Sequence, residues 1–397
     1  MIGIVTGTPQ ATPRAIANLQ ILRLVAAAMV LFGHLNHEVL KKPGLAVGFV
    51  PFQPIWWHCG VDIFSVVSGF IMALITRDSF GKPGEAGRFL RARLVRLVPM
   101  YWLFTTLTLL AMALVPSEMR HQTTNWKHVL GSYLFVPLTM NSDGNPRPVM
   151  ILGWTLNYEM LFYVIFACAM RLDRRRGLIA TAAALIALAA AGVIFTLPMP
   201  LKVWCDPIIL EFLLGMLLYG LWRRCGALPA WAGLVIAGQG YLALAAFMAG
   251  GIANHFDAYR VIWGGVPAAM IAAGVLMIRE RSLPGPVKRL FMLGGDASYA
   301  LYLSHPFVLS GVALLCAKVG VVDAPLYIAT AFAACLAFSA MFYHNCERPL
   351  QRLIRFGLNR ELPRRERGCA PAPVSVRESP KELELSLPPP ARATAHG

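Results

Sequence analysis

The chain has 397 residues, of which 57% are hydrophobic and only 14% are charged, and its formal net charge is +16. Soluble domains carry roughly 25% charged residues, so this composition excludes an ordinary soluble protein and predicts a membrane protein. The positive charge does not indicate a nucleic-acid partner, because Lys and Arg also accumulate in the cytoplasmic loops that orient membrane proteins.

The apolar residues form segments of the length that a membrane helix requires. A helix needs roughly 20 apolar residues to cross a hydrocarbon core about 30 Å thick. The chain is therefore predicted to be all-α, a polytopic bundle of about ten spanning helices: 17–38, 56–76, 97–115, 151–170, 177–196, 205–222, 229–248, 260–279, 296–317 and 325–344. The apolar segment 128–140 is too short to cross, and we expect a re-entrant or interfacial piece there.

Basic residues concentrate in alternate loops and after the last predicted span. This asymmetry predicts an even number of spans with both termini in the cytoplasm. We expect three parts: a cytoplasmic segment over 1–16, a transmembrane domain over 17–355 and a polar cytoplasmic tail over 356–397. The tail is rich in Pro, Arg, Glu and Ser, a composition that predicts disorder.

The first predicted span contains two ionisable residues, Arg23 and His34. Eleven residues at about 100° each end about 20° past three full turns, so both side chains share one face, about 16 Å apart along the axis. Ionisable groups at membrane depth cost several kcal/mol and usually mark a partner, a cavity or a reaction site. The alternative is a snorkelling arginine and a histidine that packs against another helix.

The second predicted span places His58, Asp62, Ser65 and Gly69 on one stripe of a helix, with Ser68 beside them. Small residues allow helices to approach closely, which favours a packing motif. A carboxylate in the same stripe is harder to explain by packing, so Asp62 is a candidate counter-ion for a nearby cation.

Other polar groups recur in or beside later spans. Arginines precede the third span, where they indicate either membrane orientation or a site for a phosphorylated ligand, since Arg binds phosphate oxygens bidentately. Trp154 and Tyr158 fit an interfacial aromatic belt, whereas Glu159 does not. Glu211 lies in the sixth span and His305 in the ninth; for His305 alone a satisfied core histidine is the simpler interpretation. Together these groups predict a polar cavity.

The ordered motifs resemble those of the acyltransferase-3 family of membrane O-acyltransferases, and most of all its exopolysaccharide O-acetyltransferases. The resemblance covers about residues 17–355. It rests on the R-x10-H of Arg23 and His34 and on six further segments: GVDIFSVVSGFIM (60–72), RLVRLVPMYW (93–102), GWTLNYEMLFY (153–163), EFLLGM (211–216), ASYALYLSHP (297–306) and ERPLQ (347–351).

The resemblance implies an enzyme that moves an acyl group, usually acetyl, from cytoplasmic acetyl-CoA to a sugar hydroxyl. It implies that His34 is the catalytic histidine, that Arg23 is its motif partner, and that Arg93 and Arg96 face the coenzyme. Glu159 lies at a depth comparable to that of His34, and we expect it to orient or charge-stabilise that histidine. The expected substrate-binding residues are Asp62, Ser68, Arg93, Arg96, Tyr101, Trp154, Tyr158, Glu211 and His305.

The expected partners are a cell-surface or lipid-linked polysaccharide acceptor, membrane lipids and the polysaccharide-synthesis machinery, with the protein in the bacterial inner membrane. No metal is expected, because the eight cysteines form no CxxC pair. The main alternative is a secondary transporter of a sugar or ion, whose buried charges would line a substrate path. A non-enzymatic partner of a polysaccharide synthase would leave the buried groups unexplained.

Overall fold

The computed structural model of the chain describes residues 13–114, 125–138, 146–251, 259–279 and 285–360. Across these residues the protein is a bundle of α-helices without a β-strand. In chain order the helices are α1 (Pro13–Leu40), α2 (Pro43–Ala46), α3 (Gly60–Ile75), α4 (Glu85–Leu114), α5 (Trp126–Leu134), α6 (Trp154–Ala169), α7 (Arg174–Ile194), α8 (Leu201–Trp204), α9 (Leu210–Cys225), α10 (Ala230–Ala249), α11 (Val266–Met277), α12 (Gly285–Asp296), α13 (Ser298–Lys318), α14 (Ala324–Phe342) and α15 (Arg348–Arg360).

The predicted all-α polytopic bundle is confirmed. Eight helical segments in the described part of the chain are long and apolar enough to cross a membrane: Ala17–Leu40, Trp57–Ile75, Glu85–Leu114, Ile151–Ala169, Arg174–Ile194, Ala230–Ala249, Ser298–Lys318 and Ala324–Gly357. The sixth and eighth predicted spans are also helical but shorter. Helix α9 has 16 residues, and α11 has 12 after a π-helical turn of 5.

Three boundaries differ from the predicted ones. Helix α4 begins at Glu85 and not near residue 97, so the arginine-rich segment is helical and not a loop. Arginine is a good helix former, which allows a helix to continue past the apolar run. Of the apolar segment 128–140, residues 128–134 belong to the nine-residue α5 (Trp126–Leu134), and Phe135 ends this helix with a left-handed φ of 59°. Helix α15 runs to Arg360, beyond the expected boundary at 355; the remaining tail and the first 12 residues lie outside the described residues.

Side-chain caps fix where several helices begin. Asn125 accepts a hydrogen bond from the backbone N–H of His128, and Asp173 accepts one from that of Arg176. Asp323 does the same at the start of α14. Each cap satisfies a backbone N–H that the first helical turn leaves without a partner.

A close contact between α3 and α9 depends on two glycines. A Cβ added at Gly69 would lie 2.0 Å from the carbonyl oxygen of Phe212, and one added at Gly215 would lie 2.0 Å from that of Val66. No side chain fits at such distances, so glycine at both positions lets the two backbones touch.

Helix α1 lies inside the bundle, in contact with α3, α11, α12, α13 and α14. Several of its polar side chains, among them Gln20, Arg23 and Asn36, are therefore buried. This central position explains why Arg23 is buried and why His34 lies next to residues from two other parts of the chain.

Two π-helical turns, Val261–Gly265 and Tyr343–Glu347, interrupt the regular helices. Each accompanies a buried charged residue: Arg260 precedes the first turn and Glu347 ends the second. A π turn shifts the helical phase and is frequent at functional sites.

Candidate active site

A cavity opens between α1, α3, α4, α6, α9 and α13, and we call it the arginine cavity. It holds about 760 Å³ of space, its opening included. Its walls are mainly apolar with a charged side: they consist of Arg23, Val61, Phe64, Ser65, Val67, Ser68, Ile71, Met72, Arg93, Arg96, Leu97, Thr155, Leu156, Glu159, Tyr163, Phe212, Ser298, Tyr299 and Tyr302.

The charge of this wall is positive. It has three guanidinium groups, from Arg23, Arg93 and Arg96, and one carboxylate, from Glu159. None of the three arginines is ion-paired with a carboxylate within the described part of the chain. Guanidinium groups in such a setting suit a phosphate or another anion, because their N–H donors match its oxygen atoms.

Arg23 is held in place by neutral and acidic groups behind the cavity. Its Nη1 donates a hydrogen bond to Gln20 Oε1 at 3.0 Å, and Gln20 Nε2 donates to Asp296 Oδ1 at 2.6 Å. These two hydrogen bonds connect α1 with α12. They leave the remaining N–H donors of Arg23 available to the cavity.

Glu159 lies in the arginine cavity and not beside His34. Its Oε1 accepts hydrogen bonds from Ser68 Oγ at 3.1 Å and from the hydroxyl of Tyr163. It forms no hydrogen bond with His34 among the described residues, and the charged and titratable groups that act on His34 are other histidines and Lys41. The expectation that Glu159 orients His34 is therefore wrong, because the carboxylate turns towards α3 and the arginines.

A second group of residues surrounds His34, and we call it the histidine cluster. The ring centroid of His34 lies 5.1 Å from that of His58 and 4.9 Å from that of His305. Gly33 makes room for this arrangement, since a Cβ there would lie 3.1 Å from Cε1 of His58. Three imidazoles thus meet where α1, α13 and the turn before α3 come together.

A third group is built around a buried ion pair. Arg260 Nε and Nη2 donate to the two carboxylate oxygens of Asp62 at 2.9 and 3.1 Å, and the two side chains are only 3% and 0% exposed. Asp62 therefore has a cationic partner, as its burial required. The guanidinium also lies 4.5 Å from the ring of Trp56 and 5.4 Å from that of Trp154.

Glu211 belongs to the same neighbourhood. It is fully buried, its two oxygens have no hydrogen-bond partner among the residues that the structure describes, and its side chain packs against Gly265. One guanidinium balances one carboxylate, so Asp62 and Glu211 together place more acid than base in this buried region.

The predicted stripe of α3 does not serve one site. His58 lies in the 3-10 turn before α3 and joins the histidine cluster, while Asp62 joins the ion pair. Ser65 lines the arginine cavity, and Gly69 packs against α9. One helical stripe thus touches all three groups.

Three further predicted residues also lie apart from the arginine cavity. Tyr101 is buried against Gly153 and Phe135, and its hydroxyl has no hydrogen-bond partner in the described ranges of the chain. Trp154 and Tyr158 meet edge-on at 6.1 Å and lie near Arg260. None of the three lines the arginine cavity, so they do not share a pocket with Arg93 and Arg96.

Two aromatic rings connect the arginine cavity with the histidine cluster. Phe64 and Tyr302 line the cavity, and their ring centroids are 6.0 Å apart. The ring of Tyr302 lies 6.4 Å from that of His305, and its hydroxyl is fixed by a bond to the carbonyl of Leu152 at 3.0 Å. The cavity therefore ends close to the histidines.

Sequence reasoning missed several members of the site. Gln20 and Tyr163 lie three and four residues from Arg23 and Glu159 on the same helices, so helical spacing would have found both. Arg260 is the first residue of the predicted span 260–279, and its pairing with Asp62 across 198 residues has no local signal. No group of three or more His, Cys, Asp or Glu in the described ranges is arranged to hold a metal ion.

Comparison with known proteins agrees with this arrangement. A family model described as an acyltransferase domain matches residues 16–344. The chain is 36% identical over 305 residues to the exopolysaccharide production protein ExoZ of Rhizobium meliloti (strain 1021), a match that covers 74% of this chain and 89% of that protein. No solved structure matches. The chain is thus a multi-pass membrane enzyme and belongs to the acyltransferase-3 family of membrane O-acyltransferases.

Proposed function

We propose that this enzyme transfers an acetyl group from cytoplasmic acetyl-CoA to a hydroxyl of an exopolysaccharide or another cell-surface glycan. The observation that carries the proposal is the arginine cavity. One of its lining residues, Arg23, lies on the same helix, α1, as His34. The name of the relative, an exopolysaccharide production protein, supports a polysaccharide acceptor. Family membership favours an enzyme over the transporter alternative.

The arginine cavity is the donor site in this proposal. Coenzyme A carries phosphate groups at one end and a slender thioester arm at the other. The guanidinium groups of Arg23, Arg93 and Arg96 bind the phosphates or polar parts of the arm. The apolar walls admit the arm towards Phe64 and Tyr302, and the thioester then lies near the histidine cluster.

His34 acts as the general base. A sugar hydroxyl is a weak nucleophile at neutral pH, and imidazole titrates in the range where it can accept the hydroxyl proton. The hydroxyl oxygen attacks the thioester carbonyl while His34 takes its proton. The C–S bond then breaks, the coenzyme A thiolate leaves, and the thiolate takes the proton from His34. Protons and charges therefore balance without a metal or a further reactant.

The sidedness of the reaction follows from the positive loops. The inner membrane with both termini in the cytoplasm places the arginine-rich start of α4 on the side where acetyl-CoA is made. His34 lies about 16 Å from Arg23 along the axis of α1, towards the outer side of the membrane. In this arrangement the acceptor glycan approaches from outside, with membrane lipids and the polysaccharide-synthesis machinery as neighbours.

The test is the acetyl content of the extracellular polysaccharide. A strain without the gene is complemented with the wild-type chain, with His34→Ala or with the control His344→Ala, whose side chain is exposed. We expect mass spectrometry to detect acetyl esters with the wild type and the control and none with His34→Ala, at equal amounts of membrane-inserted protein. Normal acetylation by His34→Ala would refute the mechanism.

A further inference from the structure

We propose that His305 is a positioning residue that accepts a hydrogen bond from His34 and so holds the base in one tautomer. This inference rests on the proposed function, in which His34 removes the proton of the acceptor hydroxyl. It replaces the carboxylate partner that Glu159 does not provide.

The hydrogen-bond partner of His305 determines which of its two ring nitrogens carries the hydrogen. Its Nδ1 lies 3.1 Å from the carbonyl oxygen of Leu301. A carbonyl oxygen only accepts hydrogen bonds, so Nδ1 carries the hydrogen. In a neutral imidazole the other nitrogen is then an acceptor, and Nε2 of His305 presents a lone pair.

The lone pair on Nε2 of His305 lies in a buried environment. Nε2 of His305 is buried and has no hydrogen-bond partner within the described part of the chain. A buried polar atom without a partner costs about 1–3 kcal/mol and calls for an explanation. Of the two ring neighbours, His34 at 4.9 Å is closer than Tyr302 at 6.4 Å, and the hydroxyl of Tyr302 already bonds to Leu152.

Burial indicates a positioning role for His305 and a catalytic role for His34. His305 is 1% exposed, whereas His34 is partly exposed, so His305 lies behind His34. Neither histidine lines the arginine cavity, so the difference in exposure is what distinguishes them. A substrate therefore reaches His34 first, and His305 acts through it.

The consequence concerns the two nitrogens of His34. One donates to Nε2 of His305, and the other keeps its lone pair for the acceptor hydroxyl. Catalytic hydrogen bonds are often long in empty enzymes and tighten when substrate binds, and a small rotation of His34 closes this one. The other groups that act on His34 are His58, His37 and Lys41, and none is a carboxylate.

A neutral partner has a chemical effect that a carboxylate would not have. It fixes the orientation of His34 and stabilises the imidazolium less than an anionic partner would. The proton that His34 takes from the hydroxyl is therefore passed readily to the departing thiolate. This matches a transfer in which the base must return to its neutral form within each turnover.

The experiment compares two substitutions at this position in the full-length enzyme, reconstituted in vesicles with acetyl-CoA and the glycan acceptor. His305→Gln places an amide oxygen where Nε2 was, whereas His305→Leu has no acceptor; His344→Leu is the matched control. We expect His305→Leu to lower kcat about 100-fold with both KM values within twofold, in line with the worth of a correctly oriented base. We expect His305→Gln to recover at least a tenth of the wild-type kcat.

The variant His34→Ala separates this inference from the proposed function. If His34→Ala is inactive while His305→Leu keeps its kcat, or if His305→Gln is no better than His305→Leu, the positioning role is refuted and the function stands. If His34→Ala is fully active, the proposed function fails.

Discussion

The ion pair of Arg260 and Asp62 gives a quantitative prediction about stability. Arg260→Met leaves Asp62 buried without its guanidinium, beside a second buried carboxylate from Glu211. Breaking a buried pair by removing one partner costs about 3–5 kcal/mol. Loss of the contact with the Trp56 ring at 4.5 Å adds about 0.5–2 kcal/mol. We expect the free energy of unfolding to fall by roughly 4 kcal/mol or more.

The assay is reversible unfolding in mixed detergent micelles, followed by circular dichroism. The double variant Asp62→Leu with Arg260→Met removes both charges, and we expect it to be more stable than Arg260→Met alone by about 2 kcal/mol or more. The control is Arg176→Met, which breaks an ion pair with Asp173 whose arginine is 82% exposed and should cost under about 1 kcal/mol. A loss for Arg260→Met no larger than that of the control would refute the reasoning.

Two further predictions concern packing and donor binding. Gly215→Ala should lower the free energy of unfolding by about 2 kcal/mol or more, because its Cβ would overlap the backbone of α3. The control is Gly220→Ala in the same helix, whose Cβ would meet no atom within 4 Å. In the same unfolding assay this control should be neutral or slightly stabilising. Arg93→Met should raise the KM for acetyl-CoA about tenfold or more by removing a cavity guanidinium, and Arg88→Met, at a side chain that is 62% exposed, should leave it unchanged; equal KM values for the two variants would contradict the donor site.

Local patterns in the sequence were enough to predict the bundle and the helix that carries Arg23 and His34. Apolar length defines a membrane helix, and the 3.6-residue period places two side chains on one face. The same patterns identified Asp62 as a buried acid in need of a cation. These predictions use only neighbours along one helix, where spacing determines geometry.

The pairings between distant segments could not be predicted in this way. Arg260 finds Asp62 through the packing of α11 against α3, and His305 reaches His34 through the packing of α13 against α1. Glu159 was assigned to His34 because the two have similar depth, but depth does not fix the direction of a side chain. Ser68 and Tyr163 turn the carboxylate into the arginine cavity instead.

The central claim is acetyl transfer from a donor bound at the arginine cavity to an acceptor activated by His34. The most direct measurement uses the purified enzyme in sealed vesicles of known orientation, with labelled acetyl-CoA supplied to one face and the glycan to the other. We predict labelled glycan only when acetyl-CoA is supplied to the membrane face on which the start of α4, with Arg93 and Arg96, lies. We predict no labelled glycan with His34→Ala. Equal labelling from either face, or labelling by His34→Ala at the wild-type rate, would contradict the central claim.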